Sequence, residues 1–139
     1  MDPITLAAAA SSAVVSAMAT DTWQSVRSAV VGLWQRHQES GAETVAAELA
    51  QTREDALAAS EAGEEETRAE LTALWRRQFR RFLDAHPELL PEVERVLNED
   101  IKPALSPEDR AAADNITIST NVHDHGKANV LGKGTQINN

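Results

Sequence analysis

The chain has 139 residues, a net charge of −9 and no cysteine. That length suffices for one domain with a buried core; the acidic balance argues against general nucleic-acid binding, and the missing thiols exclude a disulfide framework and thiol chemistry. Tyrosine is also absent, no Gly-rich phosphate loop is present and the carboxylates follow solvent-face periodicity, so the chain reads as a non-enzyme with no catalytic residues and no cofactor.

Asp2 and Pro3 suit the start of a helix, as N-cap and first-turn residue. Ile4 to Ala19 predicts that helix, with almost no polar face beyond Thr5, Ser11, Ser12 and Ser16. Pro3 to Thr20 carries no charge over 18 residues, the lower limit for spanning a bilayer. A helix apolar nearly all round belongs either in a core or in a membrane. Taken alone, the segment reads first as a central Ala-rich core helix; its small residues would also let helices pack closely in lipid. Ala17-Met18-Ala19 resembles a signal-peptide cleavage site, but the acidic N-terminus and weak apolarity speak against secretion. A cytoplasmic chain is expected.

Thr20 or Asp21 is expected to cap a second helix. Trp23, Val26, Val30, Leu33, Trp34 and His37 recur at spacings of three and four, an amphipathic stripe. His37 reads as a helix C-terminal residue favoured by the dipole, and Ser40-Gly41 ends the helix. Ala42 to Ala62 is helical again, with Val45, Leu49, Thr52, Ala56 and Ala59 inward. Gly63 reads as a hairpin turn; one helix running through it would be about 65 Å long and would not pack on its shorter neighbours. Glu64-Glu65-Glu66 suits the next helix start, and Leu71, Leu74, Trp75, Gln78, Phe79, Phe82 and Leu83 form its apolar face.

Arg76, Arg77, Arg80 and Arg81 make the one basic patch, interleaved with Trp75, Phe79 and Phe82. Two readings stand. The arginines pair with Glu and Asp on neighbouring helices, or they meet anionic lipid headgroups once the body opens. His86-Pro87 breaks the helix. Pro87 to Glu99 predicts another, with Leu89, Leu90, Val93, Val96, Leu97 and Ile101 on one side and Pro103 closing it. Ser106-Pro107-Glu108 starts a last short turn ending by Ala113. Residues 1–113 are thus expected to form an all-α bundle of about five helices.

The character changes at Asp114. Residues 114–139 hold three of the six Gly and two of the three Lys, with no Glu and no Arg. Their two Asp and two Lys cancel, so the whole −9 lies on the first 113 residues. Ile116, Ile118, Val122, Ala128, Val130 and Ile137 follow a strand-like alternation punctuated by Gly126, Gly132 and Gly134. Such a segment makes no core alone, but stacked copies would pair above and below, with Asn115, Asn121, Asn129, Gln136 and Asn138 as amide ladders. The plain alternative is a disordered C-terminus. His123 and His125 lack further ligands, so no metal is expected.

These features together resemble the bacterial Bell-domain proteins, analogues of the fungal HeLo-type cell-death domains. The resemblance lies in the MDPITLAAAA opening, the helical body with DTWQSVRSAVVGLW, and the tail. That tail is similar to a bacterial amyloid signalling sequence at Gly126, Ala128, Val130, Gly132, Gly134, Gln136 and Ile137. It covers the full chain, as a helical membrane-targeting effector domain (1–113) and an amyloid signalling tail (114–139) that is unstructured until it assembles.

The resemblance implies a latent, pore-forming cell-death effector in antiphage defence. A partner NLR-like (nucleotide-binding, repeat-containing) sensor carries a matching N-terminal motif, oligomerises on sensing its ligand and templates the tail in a prion-like manner. The gathered domains then release the N-terminal helix into the inner membrane, with Ile4, Leu6, Ala10, Val14, Val15 and Met18 as its membrane-facing residues. Expected partners are that sensor, further copies through the tail and membrane lipids, with no nucleic acid. The alternatives are a non-lytic helical adaptor that oligomerises through the tail, and an ordinary helical protein with an inert tail.

Overall fold

Asp2 sets the first element. Its carboxylate accepts from the Thr5 amide at 2.7 Å and from Thr5 Oγ1 at 3.0 Å, and Pro3 follows at the first helical position, where a missing N–H costs nothing. The computed structural model describes residues 2–116, all of them in helices or the turns between them. Helix α1 spans Pro3–Ala17, ending two residues before the expected Ala19. Thr20 explains the early stop: its Oγ1 donates to the Ala17 carbonyl at 2.7 Å. That role takes Thr20 away from capping the next helix. Helix α2, Trp23–His37, has Thr22 at its N-cap without a side-chain cap bond, so neither Thr20 nor Asp21 caps it.

Helix α3 (Ala42–Ala62) and helix α4 (Glu65–Ala85) form an antiparallel hairpin through Gly63. Gly63 sits at φ 71°, ψ 27°, the left-handed region that favours glycine. Its N–H bonds the Ser60 carbonyl, and the Glu64 N–H reaches back to Ala59 at 2.8 Å. This paired closure satisfies the last carbonyls of α3. Beyond His86 the chain makes a 3-10 turn (Pro87–Leu89) and helix α5 (Leu90–Val96). It then widens into a π turn (Leu97–Ile101) and tightens into a 3-10 turn (Lys102–Ala104). Pro103 has no N–H with which to continue an α ladder.

The fold is an all-α bundle. Residues 107–116 form its last helix, α6, where Ser106 Oγ accepts from the Asp109 amide at 3.2 Å. This helix runs three residues past the boundary expected at Ala113. Ala113 is fully buried, Ile116 packs on the core, and Asp114 accepts from Lys102 Nζ at 2.6 Å. Asp114, Asn115 and Ile116 therefore belong to the body, and Ile116 is helical where the sequence suggested a strand.

Helix α1 lies at the centre and makes its most extensive interface with α4. Around it the predicted inward residues take their places: Val26, Val30 and Leu33 of α2, Val45, Leu49 and Thr52 of α3, Trp75, Phe79 and Phe82 of α4, Val93, Val96 and Leu97 after them. Trp34 packs on Phe82 at 4.3 Å and edge-on to Phe79 at 5.8 Å between ring centroids, geometries favoured by the ring quadrupoles. Leu74 departs from expectation, standing 39 % exposed. On a 100° helical wheel it falls about 125° from the centre of the arc through Trp75, Phe79, Phe82 and Leu83, beyond the reach of the core.

Candidate functional site

Helix α1 is the first candidate. Eleven of its 15 residues are buried. Leu6, Ala10 and Val14 have no exposed surface, Met18 just beyond the helix has none either, and Val15 has 3 %. Ile4 is the exception at 61 %. Past Pro3, the helix reaches solvent along the strip Ile4, Ala8 and Ser12, one residue per turn as the 3.6 period requires. The helix is thus placed as core, the first of its two sequence readings.

Two arginines hold the far end of α1. Arg53 of α3 donates Nε–H to the Met18 carbonyl at 3.1 Å, and Arg68 of α4 donates from Nη2 to Ser16 Oγ at 3.0 Å. The first satisfies a carbonyl that the end of a buried helix leaves without a partner; the second gives the buried Ser16 hydroxyl its donor. Beside them is a small hollow of about 80 Å³ lined by Ser16, Ala56, Arg68 and Asp109 of α6, among others. Nothing in the spacing of residues along α3 or α4 marks this grip; the uncapped C-terminus of an uncharged helix was the available signal.

The basic patch does not behave as one unit. Arg80 turns to Asp84 on its own helix at 3.9 Å, with its Nε enclosed and lacking a hydrogen bond. Arg76, Arg77 and Arg81 are exposed and have no ion pair among the described residues. Pairing with acids of neighbouring helices, one of the two sequence readings, is therefore absent among the described residues. Arg77 and Arg81 line a groove between the C-terminal end of α2, the start of α3 and the outer side of α4. Its largest hollow, about 540 Å³, is lined by Trp34, Gln38, Gln78, Arg81, Phe82, Asp84 and Ala85. Arg76 lies about 140° round the helix from Arg81 and lines none of these hollows. The groove was not visible in the sequence, because its walls come from three helices.

At the same C-terminal end of α2, His37 has a specific partner. Glu92 Oε2 accepts from Arg36 Nη2 at 2.9 Å and lies 3.1 Å from His37 Nε2. The Arg36 hydrogen bond holds the Glu92 carboxyl below its usual range, partial burial works the other way, and His37 adds a smaller lowering. This cluster ties α2 to α5 and has the character of a structural clasp.

The remaining candidates, Ile118, Val122, Gly126, Ala128, Val130, Gly132, Gly134, Gln136 and Ile137, lie outside the described residues, as do His123 and His125. No group of His, Asp and Glu that could hold a metal occurs among the described residues. No family model matches the chain, and no curated protein or solved structure does.

Proposed function

We propose that this chain is a latent membrane-permeabilising cell-death effector, activated when an NLR-like partner with a matching motif templates its C-terminal residues into a cross-β stack. The observation that carries the reading is α1: an uncharged helix at the start of the chain, enclosed on nearly every side yet with no polar face that demands a protein environment. Such a helix loses little by exchanging core for hydrocarbon. The latent form is cytoplasmic in this reading and the active form sits at the inner membrane.

Length is the physical difficulty. No described helix is long and apolar enough to cross a membrane, and the 15 residues of α1 measure about 22 Å against a hydrocarbon core of about 30 Å. The uncharged run through Thr20 would reach about 27 Å as a helix, a mismatch that local thinning absorbs at a fraction of a kcal/mol per Å. Clustering supplies the rest, because tethered copies reach effective concentrations of the order of millimolar. The same shortness favours the second reading, a helical adaptor that assembles through its tail without entering lipid.

A charge placed on the exposed strip of α1 separates the two. Asp at Ala10 or Val14, both fully buried, would unfold the bundle before any membrane is met. Ser12 is partly exposed, so Ser12→Asp leaves folding within about 0.5 kcal/mol. It still adds about 2.5–3.5 kcal/mol to insertion at the helix centre. With the tail seeded by preformed fibrils of a 114–139 peptide, the parent is expected to leak dye from vesicles and stop growth when expressed, and Ser12→Asp to do neither. Equal leakage by both chains would remove α1 from the mechanism. Seeded assembly with no leakage by the parent would leave the adaptor.

A further inference from the structure

The groove beside α4 is already open in the closed bundle, with α1 in place. Arg81 lines all three of its hollows, and Arg77 lines one of them. Both guanidinium groups lack an ion-pair partner among the described residues. Two acids share the groove: Glu48 accepts from Gln78 Nε2, and Asp84 lies 3.9 Å from Arg80 Nε, so neither pairs with Arg77 or Arg81. An independent observation concerns Trp34. It is only 3 % exposed, yet its indole N–H has no hydrogen-bond partner among the described residues. The Trp34 edge sits against Gly41, where an added Cβ would lie 3.5 Å from Cδ1 and 4.0 Å from Nε1, and Gly41 lines the same groove. That N–H is not one of the enclosed donors among the described residues; it opens towards the groove, where it fits an acceptor that arrives from outside.

The donors along the groove, two guanidinium groups, the Trp34 N–H and the Gln38 amide, suit an oxyanion with several acceptor oxygens. The rim adds Leu74, one of the two large apolar side chains exposed among the described residues. An anion with an apolar neighbour just behind it describes a lipid better than a free ion. We propose that this groove binds the headgroup phosphate of an anionic phospholipid and so docks the closed bundle on a bilayer before α1 moves. This rests on the membrane-directed reading given above. The net charge of −9 opposes approach at long range, but screening confines charge effects to about 8–10 Å at physiological salt, so the contact depends on the arginines at the groove.

The test is flotation of the full chain, unseeded, with vesicles of phosphatidylcholine alone or mixed with phosphatidylglycerol. The parent is expected to partition onto the mixed vesicles, and Arg81→Gln and Arg77→Gln each to lose about fivefold, the effect of one basic residue at an anionic surface. Arg76→Gln removes the same charge from the same helix outside the groove, and is expected to stay within about twofold of the parent. Trp34→Phe keeps the ring and removes the N–H, and is expected to weaken binding while circular dichroism stays unchanged. Three results would overturn the proposal: no preference of the parent for the mixed vesicles, an Arg76→Gln loss equal to that of Arg81→Gln, or displacement by glycerol phosphate at matched phosphate concentration, which marks a free-phosphate site. Dye leakage distinguishes this inference from the lytic reading. Docking without leakage on seeding leaves the groove standing and sinks lysis; undiminished leakage by the Arg77→Gln, Arg81→Gln double variant sinks the groove and leaves α1.

Discussion

Trp75 donates its indole N–H to Thr52 Oγ1 at 2.9 Å, a bond between two buried side chains of α4 and α3. The hydroxyl in turn donates a hydrogen bond to the Glu48 backbone carbonyl at 2.7 Å, so both polar groups in this part of the core are satisfied. Thr52→Val keeps the shape and leaves the indole N–H buried without a partner. It is expected to cost about 1–3 kcal/mol in chemical denaturation. Thr52→Ser keeps the acceptor and loses a methyl, at about 1 kcal/mol. A Thr52→Val chain as stable as the parent would show that the hydrogen bond contributes nothing to stability.

Gly63 separates backbone strain from crowding. Nothing lies within 4 Å of a Cβ added there, so Gly63→Ala meets no neighbour and bears only the left-handed backbone cost, about 1–2 kcal/mol. Gly63→Asn, which tolerates that region better, is expected to lose less. A Gly63→Ala chain as stable as the parent would mean that the hairpin closes with another backbone geometry.

The Glu92 clasp gives a pH dependence with a fixed sign. Its carboxyl titrates below the ordinary value of 4.5 in the folded chain, so the unfolded chain binds the proton more readily. The stabilisation is then present above that value and is lost as the pH falls through the lower, folded one. Glu92→Gln is expected to lower Tm at neutral pH and to show a flatter decline than the parent on acidification to about pH 3. Parallel Tm profiles in the two chains would exclude Glu92 as a source of the acid sensitivity.

Asp114 is half exposed and Lys102 largely buried in their ion pair. Solvent screening limits such a pair to about 0.2–1 kcal/mol, so Asp114→Asn is expected to change global stability little. Its effect should be local, as faster amide hydrogen exchange across residues 107–116 that also appears in the parent at high salt. Exchange unchanged by both treatments would assign the docking of α6 to Ala113 and Ile116 alone.

The sequence made the helical elements and most of the core legible because both follow a local period. Val45, Leu49, Thr52, Ala56 and Ala59 repeat at three and four residues and are buried together. Gly63 was legible because a residue without Cβ marks a backbone state. Leu74 misled because apolarity and wheel position disagreed, and position decided. The end of α6 misled for another reason: Asp114 and Ile116 look like tail residues, and only contacts with Lys102 and the core, made across the fold, keep them helical. The grip of Arg53 and Arg68 on α1, and the groove along Arg77 and Arg81, depend on helices distant in sequence and have no local signature.

The composition of α1 has a further consequence for how it seats. Along Leu6 to Val14 most residues are Ala or Ser, side chains so alike in volume that a shift by one turn exchanges Ala for Ala or Ser at several contacts. Shape alone therefore discriminates poorly between neighbouring seats, since volume-conserving exchanges cost a core little. Directional bonds between α1 and other helices occur at one end, from Arg53 to the Met18 carbonyl and from Arg68 to Ser16. Those two guanidinium groups act as an index mark, fixing the helix along its own axis in a channel whose walls would accept it in more than one position.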